Sequence, residues 1–457
     1  MLSNFGSSVR YLEFYHQFAR PVLSSGFDAE FWSRITIQLA FAEPSVRHAL
    51  IALGYLQSTE TGTLRDARAK YGGHSESGTL MYHYNKSVRY LIERMNEVTY
   101  TPEVGLVTCL LFVCIEFLRG NYHTAFTHLT KGLKLVSEQP GHSRPASSCS
   151  SLSVTSHPSA TSNIHSSTLV NDELRPIFIR SMAAAMMYGV NVDASIDIPP
   201  PSLDSYRNLR FESVREAQLH SYELRNQSTL VIRDLSRKIL AQQTLTVDDL
   251  ARHSYMLDCQ RAWLQALHMF RKGRHLSSAD ELAISVLIMH YHTSHIWTTY
   301  VADVDQMAVD KHIEDFQDIL RHGKLVLDSM DLAATRPAAN FTFEICLIPA
   351  LYFVGLRCRC PRTRREAVTL LERSKRREGM WDVEQHVLVL KRVIEMEEEE
   401  VDPVTGWPVA RVRLWSSVIE SHMGATGGFW ANFLPSGWVG QKTPDGKQRV
   451  LRQYFGP

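Results

Sequence analysis

Apolar residues recur along this chain at helical spacing. Val88, Leu91, Ile92 and Met95 fall at i, i+3, i+4 and i+7, positions that share one face when the chain turns every 3.6 residues. Val383, Val387, Leu390 and Ile394 follow nearly the same rule. From Val104 to Leu118 the sequence is apolar almost without a break, which predicts a helix enclosed by others on every side. Gly120-Asn121 interrupts the run, and Ala125, Leu129, Leu133 and Val136 resume it, so a helix, a tight turn and a second helix are expected. Alternating strand patterns are scarce before residue 405. The pattern predicts an all-α chain, a large multi-helix domain over residues 1–402.

Two stretches depart from it. Residues 141–168 hold eleven serines, with Pro145, Pro158 and few large apolar groups. Such a segment buries too little surface to offset its ordering entropy, and a disordered surface insertion is expected. After Pro403, four of the eight tryptophans cluster in a tail over residues 403–457: Trp407, Trp415, Trp430 and Trp438. Pro444-Asp445-Gly446 is a turn signal there, with Trp438-Val439 and Val450-Leu451 placed to pair as a short C-terminal hairpin. The tail is expected to pack on the helical body through its rings; exposed rings would mark a contact site.

Charge is segregated in one place. Residues 357–377 carry nine Arg or Lys against two Glu, and residues 378–402 carry nine acidic residues against two basic ones, +7 followed by −7. Neighbouring helices with solvated, complementary faces are the first reading; a nuclear-import or phosphate-contact patch at Lys375-Arg376-Arg377 is the second. Over all 457 residues the formal net charge is only +1. The cationic excess that drives binding to a phosphate backbone is missing. The apolar run Val104–Leu118 is shorter than the ~18 residues a membrane span needs, and no membrane association is expected. The N-terminus has no basic flank followed by an apolar core, so it does not read as a signal peptide. The seven cysteines, Cys109, Cys114, Cys149, Cys259, Cys346, Cys358 and Cys360, are scattered, which fits a reducing compartment better than a disulfide framework.

No catalytic set converges in the sequence. There is no Gly-x-Ser-x-Gly elbow, no phosphate loop and no dinucleotide fingerprint after a strand. His290, His292 and His295 form the densest histidine group, but on a helix they do not share a face, and no glutamate stands at metalloprotease spacing. Cys358 and Cys360 are separated by one residue and have no second pair to complete a thiolate site. His123 and His128 are expected as buried, hydrogen-bonded residues of the second helix of the pair. Glu397 to Glu400 is contiguous, so its carboxylates spread around a helix, unlike the metal motifs of a terpenoid-type synthase. No catalytic or metal-binding residue is assigned, no cofactor is expected, and an enzyme is disfavoured.

Four stretches stand in a telling order. They are Leu12 to His16 with Phe31-Trp32 and Glu43 to Gly54; Tyr84 to Arg89; Glu116 to Tyr122 with Ala125, His128 and Gly132; and Pro349 to Phe353 with Arg357 to Arg362, Arg364 to Ala367 and Arg376 to Asp382. Together they resemble the fungal-specific transcription factor domain, the regulatory region found downstream of binuclear zinc-cluster DNA-binding domains. The resemblance runs from about residue 12 to 382. Its motifs make sense as scaffold: Glu43-Pro44 suits a helix start, Gly120 a turn, Gly132 a close helix contact, and Pro361 the start of the basic helix. What the resemblance implies is a transcription regulator or accessory regulator in a fungus, serving a metabolic gene cluster as many such regulators do. It would reside in the nucleus and act through protein partners, as a homo- or heterodimer or alone. The alternative is a stand-alone helical protein that dimerises with full-length relatives. In one respect the chain departs from the family. Six clustered cysteines that bind two zinc ions and set a helix in the major groove have no counterpart before Cys109. DNA contact is therefore expected only indirectly, or through a module outside this sequence.

Overall fold

A computed structural model describes residues 3–23, 28–71, 78–138, 169–187, 203–332, 338–374, 376–423 and 427–456; the serine-rich segment 141–168 lies outside them. Helices dominate. The first group is α1 (Ser3–Phe14), α2 (Thr36–Ala42), α3 (Pro44–Thr59), α4 (Leu64–Tyr71), α5 (Gly78–Met95), α6 (Pro102–Leu118) and α7 (Tyr122–Glu138). Then come α8 (Arg175–Met187), α9 (Val214–Leu240), α10 (Val247–Arg271), α11 (Ser278–Tyr300) and α12 (Ile313–Leu332). The last are α13 (Ile348–Arg357), α14 (Pro361–Arg373) and α15 (Val383–Glu397), with shorter helical turns between them. Among the described residues no helix is long and apolar enough to cross a membrane.

Helix α6 is the axle of the first half. Every residue from Glu103 to Leu118 is buried, as its unbroken apolar run predicts, and α3, α5 and α7 pack around it. Thr101 in extended conformation and Pro102 at the first position start it, where a missing N–H costs nothing. Gly120 ends it at φ +73°, a conformation that glycine adopts without strain. The Gly120 N–H donates to Phe117 O and the Asn121 N–H to Glu116 O, the paired bonds that satisfy the last carbonyls of a helix. Helix α7 then returns antiparallel. Its Gly132 meets α8 so closely that an added Cβ would lie 2.1 Å from Cε1 of Phe178.

Side-chain caps define the starts of the second group. Ser213 accepts from the Glu216 N–H at α9, Thr246 and Asp249 cap α10 reciprocally, and Ser277 accepts from Asp280 at α11, each satisfying orphan donors of the first turn. Helix α10 joins α9 and α11 through a cluster of its own built on Cys259, Trp263 and Leu267. Trp263 Nε1 donates to Ala217 O at 2.9 Å.

Late segments lock the first half. β1 (Phe341–Thr342), β2 (Arg377–Glu378) and β3 (Trp381–Asp382) form a small mixed sheet, too short to leave an alternating pattern. Around it, Ala339 N–H donates to Gln57 O, Tyr122 Oη to Met380 O, and Arg377 to Phe117 O. Glu378 is buried and accepts from the N–H groups of Cys346, Leu347 and Ile348 at 2.9–3.0 Å, so its carboxylate sits on the positive end of α13. Burial pushes this carboxyl up, and those hydrogen bonds hold it back.

The charged block 357–402 is only in part a pair of solvated, complementary faces: Arg365–Glu398 and Lys391–Glu372 join α14 and α15 at the surface, but other charges of the block turn inward. Arg359, Arg364 and Arg377 are buried, as are Glu378 and Glu397. The arginines reach a carboxylate or backbone carbonyls and the two glutamates accept from backbone N–H groups or guanidinium groups, which is what makes their burial tolerable. Arg377, the described end of the expected import patch, points inward; Lys375 lies outside the described residues.

The tail forms a three-stranded antiparallel sheet, β4 (Leu414–Met423), β5 (Phe429–Pro435) and β6 (Leu451–Phe455), in the order β4-β5-β6. The expected antiparallel pairing is present but larger than a hairpin. Lys442 and Gln448 bridge the turn, while Leu451 pairs with Phe433 of β5 and not with Val439. Leu414, Ile419, Phe429, Ala431 and Phe433 join the main helical core. Strand alternation sends Trp430 to the other face, where it meets Tyr454 at a tilt, with centroids 5.1 Å apart, under Arg452. Trp438 likewise lies under Arg449, at 3.8 Å. Each of these two rings thus carries an arginine of the tail on its face, and on β5 the period of two puts Phe429 and Ala431, the neighbours of Trp430, into the helical core.

Candidate functional site

Helix α9 presents Thr229, Ile232, Arg233, Ser236, Arg237 and Leu240 at i, i+3, i+4, i+7, i+8 and i+11, a single stripe. This stripe forms one wall of a cavity of about 420 Å³. The end of α11 supplies Trp297, Tyr300 and Val301, and β4 closes the opposite side with Trp415, Ser416 and Val418. The cavity is thus a seam between the helical body and the C-terminal sheet.

Its geometry is set by buried arginines. Arg357, at the end of α13, donates to Gln306 Oε1 at 2.9 Å, Leu414 O at 3.2 Å and Trp415 O at 2.8 Å, and its guanidinium lies 5.7 Å from the Tyr300 ring. Gln306 has φ 57°, left-handed backbone that is uncommon for a residue with a side chain. It is held there from both sides, because Arg413 Nη1 donates to Gln306 O at 2.6 Å while also pairing with Asp310 at 2.7 Å. β4 carries a bulge between Leu414 and Ser416, and bulges re-aim side chains; here the extra residue is Trp415, which lines the cavity.

Glu397 anchors the seam from behind. Arg364 donates to it at 2.8 Å and the Leu414 N–H at 2.8 Å, while Arg359 approaches at 3.0 Å as an ion pair. Burial lowers Arg359 to about 10, with Glu397 opposing that shift. One carboxylate therefore joins α15, α14 and the first residue of β4.

The histidines of α11 do not converge. His290 is buried between Arg225 and Cys346 O, at 3.0 and 3.2 Å, and burial, aided by Arg225, holds it well below its usual range. His292 faces Asp315 and Asp318 of α12 at 3.1 and 3.2 Å. His295 meets Gln260 of α10 at 3.0 Å. Among the described residues no group of three or more His, Cys, Asp or Glu could hold a metal ion. Cys358 and Cys360 are free thiols at the turn into α14, and four other described cysteines are also free. His128 is half-buried on Tyr84 Oη at 3.1 Å, and burial lowers it to about 4. His123 is exposed, which corrects the expectation that both are buried: it falls on the solvent side of α7, five residues away.

Sequence reasoning did not single out the seam. The sign was present in α9, where Arg233 and Arg237 interrupt an otherwise mixed apolar stripe at i+4 spacing. Tyr300, Gln306 and Arg357 come from separate elements, and only the fold brings them together.

Residues 10–185 match the fungal specific transcription factor domain. A stretch of 61 residues is 36% identical to the aspercryptin biosynthesis cluster-specific transcription regulator atnN of Emericella nidulans, covering 13% of this chain and 10% of that protein. No solved structure matches the chain. The family match ends before α9, and all the residues that line the cavity lie beyond it.

Proposed function

We propose that this chain, which contains a fungal specific transcription factor domain over residues 10–185, is the regulatory body of a fungal transcription regulator and acts through protein partners. That domain is a regulatory module, not a catalytic one. Residues 1–402 form the regulatory body in this reading, and the 403–457 tail completes it. The observation that carries the proposal beyond the family match is the inward burial of Arg359, Arg364 and Arg377. The densest cationic stretch of the sequence is used to brace the core, which removes those charges from any grip on phosphates. DNA contact is then indirect, delivered by a DNA-binding partner or by a module outside this sequence. Nuclear residence follows from such a role. Service to a metabolic gene cluster is suggested by the name of the E. nidulans relative.

In a mobility-shift assay at physiological salt, the isolated chain should show no nanomolar, sequence-selective binding. A tagged copy in a fungal host should enter the nucleus and co-purify with a DNA-binding regulator. Nanomolar selective binding by the chain alone, or strictly cytosolic residence, overturns the proposal. A second reading, dimerisation with related chains, is favoured by β6: it is an edge strand with Leu451 39% and Tyr454 47% exposed, and unpaired strand edges recruit further strands. Sedimentation of the chain with a β6 Gln453→Pro substitution tests it, because a proline removes a ladder donor.

A further inference from the structure

We propose that the cavity between α9, α11, α13 and β4 binds a neutral aromatic small molecule bearing a carbonyl oxygen, held by apolar contact and by a hydrogen bond from Tyr300. The proposal concerns binding alone, so it stands or falls separately from the regulatory role.

Size and walls come first. About 420 Å³ falls in the range of roughly 300–1,000 Å³ typical of small-molecule sites. Trp297 of α11 and Trp415 of β4 contribute rings from opposite sides, and Ile232, Leu240, Val301 and Val418 extend an apolar lining, the usual surface for a ligand body. Flat rings on two walls suit a flat aromatic guest.

The charge of the guest follows from what the lining arginines already do. Arg357 donates to Gln306 and to the carbonyls of Leu414 and Trp415. Arg233 donates to Asp234 from Nε and Nη2, at 3.3 and 3.2 Å, and its Nη1 reaches Met186 Sδ at 3.6 Å. Arg237 is partnered as well. The described residues that line the cavity include no Asp or Glu. An ion of either sign would leave water without a free counter-charge to receive it, a costly exchange. A neutral molecule avoids that cost.

Tyr300 supplies the polar contact. It lines the cavity, is 2% exposed, and its hydroxyl has no hydrogen-bond partner among the described residues. Its ring lies between the Arg357 guanidinium, 5.7 Å from the centroid, and the stacked Phe353 ring at 6.5 Å. A buried polar group without a partner is uncommon and calls for an explanation. A phenol O–H is a donor in want of an acceptor, and a carbonyl oxygen on the guest supplies one.

The probe is 6-propionyl-2-(dimethylamino)naphthalene, a neutral ketone, with the full chain in solution. It is set against N-phenyl-1-naphthylamine, neutral but without a carbonyl, and 1-anilinonaphthalene-8-sulfonate, the anion. The ketone should bind saturably at one site, excited by energy transfer from Trp297 and Trp415. The amine should bind about fivefold more weakly, the scale of one neutral hydrogen bond, and the sulfonate no more tightly than the amine. Tyr300→Phe removes a hydroxyl that holds no protein partner, so the fold is spared. It should bring the ketone to the level of the amine and leave the amine unchanged. Val418→Trp, which fills the cavity from the sheet side, should abolish both neutral probes. A sulfonate bound more tightly than the ketone overturns the proposal. So does a ketone preference undiminished in Y300F, or V418W binding as tightly as wild type. If V418W does not fold, the Y300F comparison decides alone.

Discussion

Substituting Glu397→Gln keeps the shape of the side chain and removes its charge. One amide oxygen remains to accept the Leu414 N–H, but Arg359 and Arg364, 1% and 0% exposed, lose the carboxylate that offsets their burial. Removing one partner of a buried ion pair costs about 3–5 kcal/mol. The internal control lies one residue further along the same helix pair, where Arg365 pairs with Glu398 at the surface; Arg365 is exposed, and such pairs contribute about 0–1 kcal/mol. Unfolding entropy of about 2.1 cal/mol/K per residue amounts to roughly 1 kcal/mol/K over a chain of this length. E397Q should therefore lower the melting temperature by about 3–5 °C, and Arg365→Gln by about 1 °C or less. Large chains often unfold irreversibly, so all variants are scanned at one rate. Hydrogen exchange adds a local readout: amides of β4 should lose protection in E397Q before those of α6. Equal shifts in the two variants, or an E397Q melt indistinguishable from wild type, would refute the view that this carboxylate holds the seam together.

Other expectations follow from single contacts. Gly132→Ala places a methyl 2.1 Å from Cε1 of the fully buried Phe178; overpacking of about 1–3 kcal/mol should lower the urea midpoint, and an unchanged midpoint counts against the α7–α8 contact. His48 and His83 share one hydrogen bond between Nδ1 atoms 2.8 Å apart, and both are lowered from 6.5 to about 4, chiefly by burial. His128 and His295 are lowered to about 4 in the same way. Between those values the unfolded chain binds protons that the folded chain refuses, so stability rises with pH there and is lost as pH falls from 6.5 toward 4. Melting temperatures across that window test this, and a flat profile contradicts it. Elemental analysis of the purified chain should find no stoichiometric zinc; about two ions per chain would contradict the reading of its scattered cysteines.

Local physics could be read directly. The enclosed α6, the break at Gly120 and the return along α7 followed from apolar periodicity and one glycine, because each depends on neighbours a few residues away. Pro44, Pro102 and Pro361 each open a helix, as proline chemistry dictates. What periodicity could not reveal was the fate of charge. Arg365 and Arg364 are adjacent and chemically identical, yet one is exposed and the other sealed against Glu397, a choice made by α15 some thirty residues later. The two-residue strands near 341, 377 and 381 are too short to show alternation. In the tail, the turn at Pro444-Asp445-Gly446 was visible, but the partner of the returning strand was β5, set by the register of a sheet whose other members precede the turn. The cavity was hardest to see, since its residues span Met186 to Val418 and no one segment carries its signature.

The bonds from Tyr122 to Met380 and from Arg377 to Phe117 also order events in time. At roughly 5–20 residues per second, a ribosome that has finished residue 185 needs about 10–40 s more to deliver the residues that close over α6 and α7. Throughout that interval the most apolar helix of the chain has emerged without its lid. Nascent chains of this kind depend on holding factors, and a fragment ending at 185 would remain in that unfinished condition permanently. Expression of the matched segment by itself should yield aggregate, whereas co-expression with residues 338–423 should recover part of it in soluble form.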